Sequence, residues 1–163
     1  MVDMPAQPTD LTLRTIRCPD DPHLAGILAL SNRIFSSGRA TKHASLAYWQ
    51  NQLTNPVSRI LYLIPAFTPE QPIGFIFLIP RTTQPRLKNG AIDSVHIWLA
   101  ALLPEWRKAG CLTRMIQELD GVDQLTICTY PSRFPNMWRW LNSRGWVQER
   151  EFEDGKVLLT RVQ

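Results

Sequence analysis

A basic, glycine-containing stretch between Leu102 and Met115 is the most chemically suggestive part of the chain. Arg107 and Lys108 are followed by Ala109, Gly110 and Cys111, then by Leu112, Thr113, Arg114 and Met115. Leu112, Met115, Ile116 and Leu119 recur at helical spacing. The residues just before, Ile92 to Leu99, read as a strand. The stretch is therefore strand, basic turn, helix. The first turn of a helix carries unpaired N–H groups and a partial positive charge. A basic turn feeding such an end suits an anion, above all a phosphate. Gly110 lets backbone approach that anion closely.

Proton-transfer and nucleophile chemistry has a few further carriers. His96 has a suitable intrinsic pKa and shares a strand face with Ser94 and Trp98 by period-two alternation. It is a base, a polar pocket residue or a structural histidine. Asp93 begins the same strand, as a base or a turn carboxylate. Tyr130 ends a later strand, as an acid or as a packing aromatic. Cys128 reads as a small core residue. Cys111 sits in the basic turn, where a helix start lowers a thiol pKa, but it has no His or Asp partner at a nucleophile's spacing. His23, His43 and His96 lack zinc spacing, so no metal is expected. The chain contains no phosphate-loop motif, no Gly-x-Gly-x-x-Gly fingerprint and no Gly-x-Ser-x-Gly elbow.

Composition narrows the class. With 163 residues, 44% hydrophobic and 20% charged, the chain is long enough for one domain with a sizeable core. We expect a loose leader over residues 1–10 and a single domain over 11–163. The formal charge of +4 favours an anionic ligand. The basic residues are scattered rather than clustered, which argues against nucleic acid. Three cysteines without a Cys-x-x-Cys pair fit a reduced, cytoplasmic protein. No apolar run reaches membrane-spanning length, and no membrane partner is expected.

The elements that must position these groups follow from pattern. Leu11 to Arg17 alternates as a half-buried strand. Leu24, Ile27, Leu28, Ile34 and Phe35 form a helical face that Ser36-Ser37-Gly38 ends. A short helix covers Ala44 to Gln52. Arg59–Ile64 and Pro72–Ile79 are adjacent antiparallel strands, and Thr82 to Gly90 is a polar loop. After Ile92–Leu99 and the basic turn come a strand at Leu125–Tyr130 and a helix at Phe134–Ser143, closed by Gly145. A hairpin of Trp146–Phe152 and Lys156–Val162 turns at Glu153-Asp154-Gly155.

Arg107-Lys108-Ala109-Gly110-Cys111-Leu112, approached through Leu102-Leu103-Pro104-Glu105-Trp106, resembles the acyl-coenzyme A loop of the GNAT (GCN5-related) N-acetyltransferases. That pattern is Arg or Gln, two residues, Gly, one residue, then Gly or Ala; Leu112 stands at its last small position. The order β-α-α-β-β-β-α-β-α-β-β resembles the family from Leu11 to Val162. Trp140-Leu141-Asn142-Ser143-Arg144-Gly145-Trp146 resembles its closing apolar-Tyr-x-x-x-Gly-Phe, with Leu141 at the Tyr. Phe134 stands where many members carry Asn.

The resemblance implies an α/β (α+β) fold with a mixed, mostly antiparallel sheet, splayed between strands four and five and flanked by helices. It implies acetyl-CoA, or another acyl-CoA, as co-substrate, attacked directly by a primary amine of a small molecule or peptide within a ternary complex. Leu102, Arg107, Lys108, Ala109, Gly110, Cys111, Leu112 and Thr113 would hold the cofactor. Lys108 either adds charge there or is simply solvated. Leu99 to Leu102 would run along the pantetheine arm. Phe35, Tyr48 and Trp49 would wall the acceptor site, or else be core aromatics. His96, Tyr130 and Asp93 are the catalytic candidates, because Leu141 cannot serve as the usual Tyr acid. The six Trp favour a hydrophobic acceptor pocket. The protein would be a monomer or a homodimer. The alternative is a protein of this fold that binds acyl-CoA as a sensor or runs a different reaction.

Overall fold

A computed structural model describes residues 10–35 and 45–161. The expected leader up to residue 9, the Ser36-Ser37-Gly38 stop, the helix start at Ala44 and the end of the hairpin at Val162 lie outside the described residues. In chain order the elements are β1 (Leu11–Ile16), α1 (Leu24–Ile34), α2 (Leu46–Gln52), β2 (Arg59–Pro65), β3 (Gly74–Thr82) and β4 (Asp93–Leu102). A 3-10 turn at Pro104–Trp106 follows, then α3 (Cys111–Gln117), β5 (Leu125–Thr129), α4 (Pro135–Ser143), β6 (Trp146–Glu151) and β7 (Val157–Arg161). The strands form one seven-stranded sheet in the order β1-β2-β3-β4-β5-β7-β6. The β4–β5 pair is parallel, and the other registered pairs are antiparallel. The expected fold class is what the structure has.

The chain divides into two compact units, one of residues up to 78 with 99–120, the other of residues 79–98 with those from 121 on. In the first unit, β1 and β2 pair in register from Leu11↔Pro65 to Ile16↔Ile60. β2 and β3 continue as Ile60↔Phe77, Leu61↔Ile76 and Tyr62↔Phe75. Both strands are buried on both faces, so their apolar runs are continuous rather than alternating. α1 seats Leu24, Ile27, Leu28 and Leu30 at helical spacing. Its entry is fixed by the Asp21 carboxylate, which accepts from the His23 N–H at 2.8 Å. α2 starts at Ser45, whose hydroxyl accepts from the Tyr48 N–H. It buries Trp49 completely, 5.8 Å from Phe75 and 5.0 Å edge-on from Phe77 between ring centres.

In the second unit, β5 pairs with β7 and β7 with β6, with a bulge between Gln148 and Arg150. The Leu87 loop is tied to that bulge. The Lys88 N–H donates to the Glu149 carboxylate at 2.9 Å, and Lys88 Nζ donates to the Gln148 carbonyl at 2.8 Å. Arg150 donates to the Gln84 and Pro85 carbonyls.

Two strands outrun their sequence pattern. β3 continues past Ile79 through Pro80 to Thr82. The β2 ladder ends at Arg59↔Leu78, so Pro80 falls where β3 has lost that neighbour and its missing N–H removes no β2 bond. β4 continues from Leu99 to Leu102 because Leu103 N–H donates to the Ile73 carbonyl at 2.8 Å. The same end of β4 explains Gly74. A Cβ there would stand 2.9 Å from the Ala101 carbonyl oxygen and would overlap a Leu102 methyl. The β4–β5 ladder holds Val95↔Leu125, His96↔Thr126 and Ile97↔Ile127 and then stops, although β4 runs to Leu102 and β5 to Thr129.

Candidate functional site

The turn after β4 is built for unsatisfied donors. Trp106 and Arg107 N–H groups close the 3-10 turn onto Leu103 and Pro104. Arg107 Nε donates to the Leu102 carbonyl at 3.2 Å, so this arginine braces the turn. Lys108 then adopts a left-handed φ of 68° and Gly110 one of 77°. A non-glycine residue at positive φ is uncommon and marks a turn held by its surroundings. The first bond of α3 runs from Arg114 N–H to the Gly110 carbonyl at 3.0 Å. Between Arg107 and Arg114, the amides of Lys108, Ala109, Gly110, Cys111, Leu112 and Thr113 have no protein acceptor among the described residues. Nothing lies within 4 Å of a Cβ placed on Gly110, so that side of the turn is open. Unpaired N–H groups around left-handed residues can form an anion-binding concavity. α3 is itself anchored by Arg114, whose guanidinium donates to the Leu11 carbonyl at 2.7 Å.

The side chains of this turn divide by burial. Lys108 is exposed, Ala109 and Leu112 are half-buried, and Cys111 is buried at 1% exposure. Burial pushes the Cys111 thiol up, and the Arg114 charge opposes this in part. The helix-start activation expected for Cys111 therefore does not prevail. Only its amide faces the turn's chemistry.

His96 lies in the second unit, buried on β4, and both ring nitrogens are engaged. Arg81 Nη1 lies 3.2 Å from Nε2, and Thr126 Oγ1 lies 2.8 Å from Nδ1. A guanidinium only donates, so Nε2 accepts and Nδ1 carries the hydrogen, donating to Thr126. The Thr126 hydroxyl is then free to donate to Ser94 Oγ at 3.0 Å, and Ser94 donates to the Arg81 carbonyl at 3.4 Å. The bonds form a closed ring with one consistent direction. Burial, then the charges of Arg81 and Lys156, lower the His96 pKa from 6.5 to about 3. His96 is a neutral imidazole with no spare lone pair. Arg81 Nη1 also donates to Cys128 Sγ at 3.2 Å, so Cys128 joins this cluster instead of being plain core filler.

The other candidates make no hydrogen bond to His96. Tyr130, just past β5, donates its hydroxyl to Asp154 at 2.7 Å. That bond raises the Tyr130 pKa and holds the Asp154 carboxyl below its usual range. The Arg133 guanidinium lies 4.5 Å above the Tyr130 ring. Asp93 is exposed and accepts from Thr82 Oγ1 at 3.1 Å. Trp49 is sealed in the core and offers no surface to a ligand. Phe35 caps α1 at 41% exposure, and Tyr48 is half-buried on α2. Leu141, at the position where the resemblance puts a Tyr, is fully buried on α4, and Phe134 is the exposed residue that caps the same helix. Among the described residues no group of His, Cys, Asp and Glu can hold a metal ion, and no helix is long and apolar enough to cross a membrane.

Sequence reasoning missed Arg81 and Thr126. Arg81 falls beyond Ile79, where the apolar run ends. Its signal was phase: Phe75, Phe77, Ile79 and Arg81 alternate on one strand. Thr126 sits in a β-branched run that reads only as strand propensity.

No family model and no curated protein matches the chain. Solved structures do. The aminoglycoside N-acetyltransferase AAC(6')-Iy, in complex with a bisubstrate analogue, superposes with a TM-score of 0.68 at 15% identity, covering 87% of this chain and 94% of that one. NAA60 of Arabidopsis thaliana, also with a bisubstrate analogue, gives 0.63 at 14% identity, covering 92% and 97%. A GNAT-family acetyltransferase of Streptococcus pneumoniae gives 0.62 at 13% identity, covering 94% and 99%. These likenesses establish the fold.

Proposed function

We propose that this chain, which has the fold of the GNAT acetyltransferases, is an acyl-CoA-dependent N-acyltransferase. In this reading it moves an acetyl group from acetyl-CoA to a primary amine of a small molecule or peptide by direct attack. The observation that carries it is the run of unpaired amides from Lys108 to Thr113, bent around left-handed Lys108 and Gly110 at the end of β4. The CoA and bisubstrate analogues bound by the structural neighbours support the same cofactor.

The turn amides would hold the pyrophosphate, with the open side of Gly110 giving it room. Arg107 shapes the turn through Leu102, and exposed Lys108 adds charge. The backbone of Leu99 to Leu102 would carry the pantetheine arm. Holding thioester and amine together converts a bimolecular reaction into a unimolecular one. A backbone N–H near the end of β4 would stabilise the developing oxyanion.

The amine must lose a proton and the thiolate can take one. His96 does not fit the base role as it stands, because its lone pair accepts from Arg81. We assign it to orienting Arg81 and leave the amine proton to solvent. Tyr130 is the remaining candidate acid: it stays protonated, and it would have to give up its bond to Asp154 to pass that proton on. Asp93, exposed at the start of β4, is the alternative base for the amine proton.

A second reading, acyl-CoA binding without transfer, is favoured by Leu141, which is buried where the family's Tyr would stand. Two measurements separate them. Free thiol release from acetyl-CoA with an amine panel supports the enzyme. Thermal stabilisation by acetyl-CoA without amine-dependent thiol release supports the binding protein. No stabilisation by any CoA species removes both.

A further inference from the structure

Arg81 is not used by the cofactor turn, and it has an unusual set of partners. Its Nη1 carries both recorded contacts, to His96 Nε2 and to Cys128 Sγ, each at 3.2 Å. No carboxylate pairs with it among the described residues. The remaining edge of the guanidinium, Nε with Nη2, is an intact donor fork without a protein acceptor among those residues. Arg81 is half-buried, where a lone cation is costly unless something answers it. It is also fixed in place. The His96–Thr126–Ser94 ring returns to the Arg81 carbonyl, so both ends of this residue are bound to one network.

Charges of both signs lie in the same unit: Asp93 is held by Thr82 beside Arg81, and the charge of Lys156 is felt at His96. Arg133 lies 4.5 Å above the Tyr130 ring and Lys156 Nζ lies 5.7 Å from the same ring centre. The carboxylates of this unit are engaged elsewhere: Asp93 accepts from the Thr82 hydroxyl, and Asp154 from the Tyr130 hydroxyl and the Lys156 N–H. Cys128 and Tyr130 are two residues apart at the end of β5, which brings the Arg81 cluster next to these cations within the same unit.

We propose that Arg81 is the seat for a carboxylate on the acceptor, so that the substrate is an amino-acid-like amine, with Lys156 adding long-range attraction. A planar carboxylate matches the free guanidinium fork bidentately, and such charge-assisted pairs are short and strong. His96 is the positioning residue. It holds Arg81 by accepting at Nε2, and it stays neutral so that it does not repel the cation it orients. This rests on the acyltransferase reading only in calling the ligand an acceptor amine. It adds one charged contact to the hydrophobic acceptor pocket that the tryptophan content suggested.

The test separates binding from turnover. Calorimetry on the full chain with CoA compares N-acetylglycine, N-acetylleucine and N-acetylphenylalanine with their primary amides. At least one acid should bind about tenfold or more tightly than its amide. Arg81→Met should abolish that preference and Arg81→Lys should keep part of it. If Arg81→Met does not fold, Lys156→Ala still tests the seat, because it should weaken the acid severalfold and leave the amide unchanged. Equal binding of acid and amide, binding of neither, or a preference that survives Arg81→Met overturns the proposal. So does tighter binding of O-phosphoethanolamine than of any acid, since that would make the anion a phosphate. Thiol release from acetyl-CoA with the free amino acids is then measured separately. If the acids bind and no amine releases thiol, the acyltransferase reading fails while the carboxylate seat stands.

Discussion

Replacing Gly110 with glutamate separates the strain of the turn from its proposed electrostatics. Gly110 has φ 77° and nothing within 4 Å of where a Cβ would stand. Any L side chain there costs about 1–2 kcal/mol for the left-handed backbone, but no clash. Gly110→Ala measures that cost alone and should lower the melting temperature by several degrees. Gly110→Glu adds a carboxylate to the mouth of the amide cradle. A unit charge about 4 Å from a phosphate at a surface-like dielectric repels it by about 4 kcal/mol. Side-chain rotation and salt reduce this to about 3 kcal/mol, or roughly a hundredfold in Kd. Calorimetric titration with CoA should therefore show Glu weaker than Ala by about two orders of magnitude, with similar melting temperatures in the free proteins. A folded Gly110→Glu protein with the CoA affinity of Gly110→Ala would refute the assignment of pyrophosphate to this turn.

Other perturbations follow from the same geometry. Gly74→Ala drives a methyl into the Ala101 carbonyl and the Leu102 side chain, so it should destabilise by about 1–3 kcal/mol; unchanged chemical denaturation would mean that β3 and the end of β4 are not so close. Thr126→Val strands the buried Nδ1–H of His96 and should cost about 1–3 kcal/mol, with Thr126→Ser milder. His96 binds its proton near pH 3 when folded and near 6.5 when unfolded. The unfolded state therefore holds more protons in that window, and stability falls as the pH drops below 6.5. The loss is about 2 kcal/mol by pH 5. His96→Gln should flatten this limb, and parallel pH–stability curves for the two proteins would contradict a buried neutral imidazole.

The fold was legible because its signals are redundant. Leu11–Ile16, Arg59–Pro65 and Leu125–Thr129 carry β-branched or alternating apolar runs, and the helical faces of α1 and α4 keep their spacing. Boundaries failed where tertiary neighbours decide them. Pro80 reads as a stop, yet β3 passes through it because β2 has already left. The backbone cradle at Arg107–Leu112 was legible since glycine and a strand–helix join are local features. The ring around His96 was not. It assembles Arg81, Ser94, His96, Thr126 and Cys128 from three strands, and no spacing within one segment encodes which of them meet. Burial also reversed two readings drawn from intrinsic chemistry: His96 loses its basicity, and the Cys111 thiol is raised instead of activated.

The central claim is that this chain transfers an acyl group from CoA to an amine. Its most direct test follows free thiol from acetyl-CoA in the presence and absence of an amine panel that includes free amino acids. Thiol release should depend on the amine, with one acetylated amine formed per thiol. Binding of acetyl-CoA with no amine-dependent thiol release across the panel would contradict it.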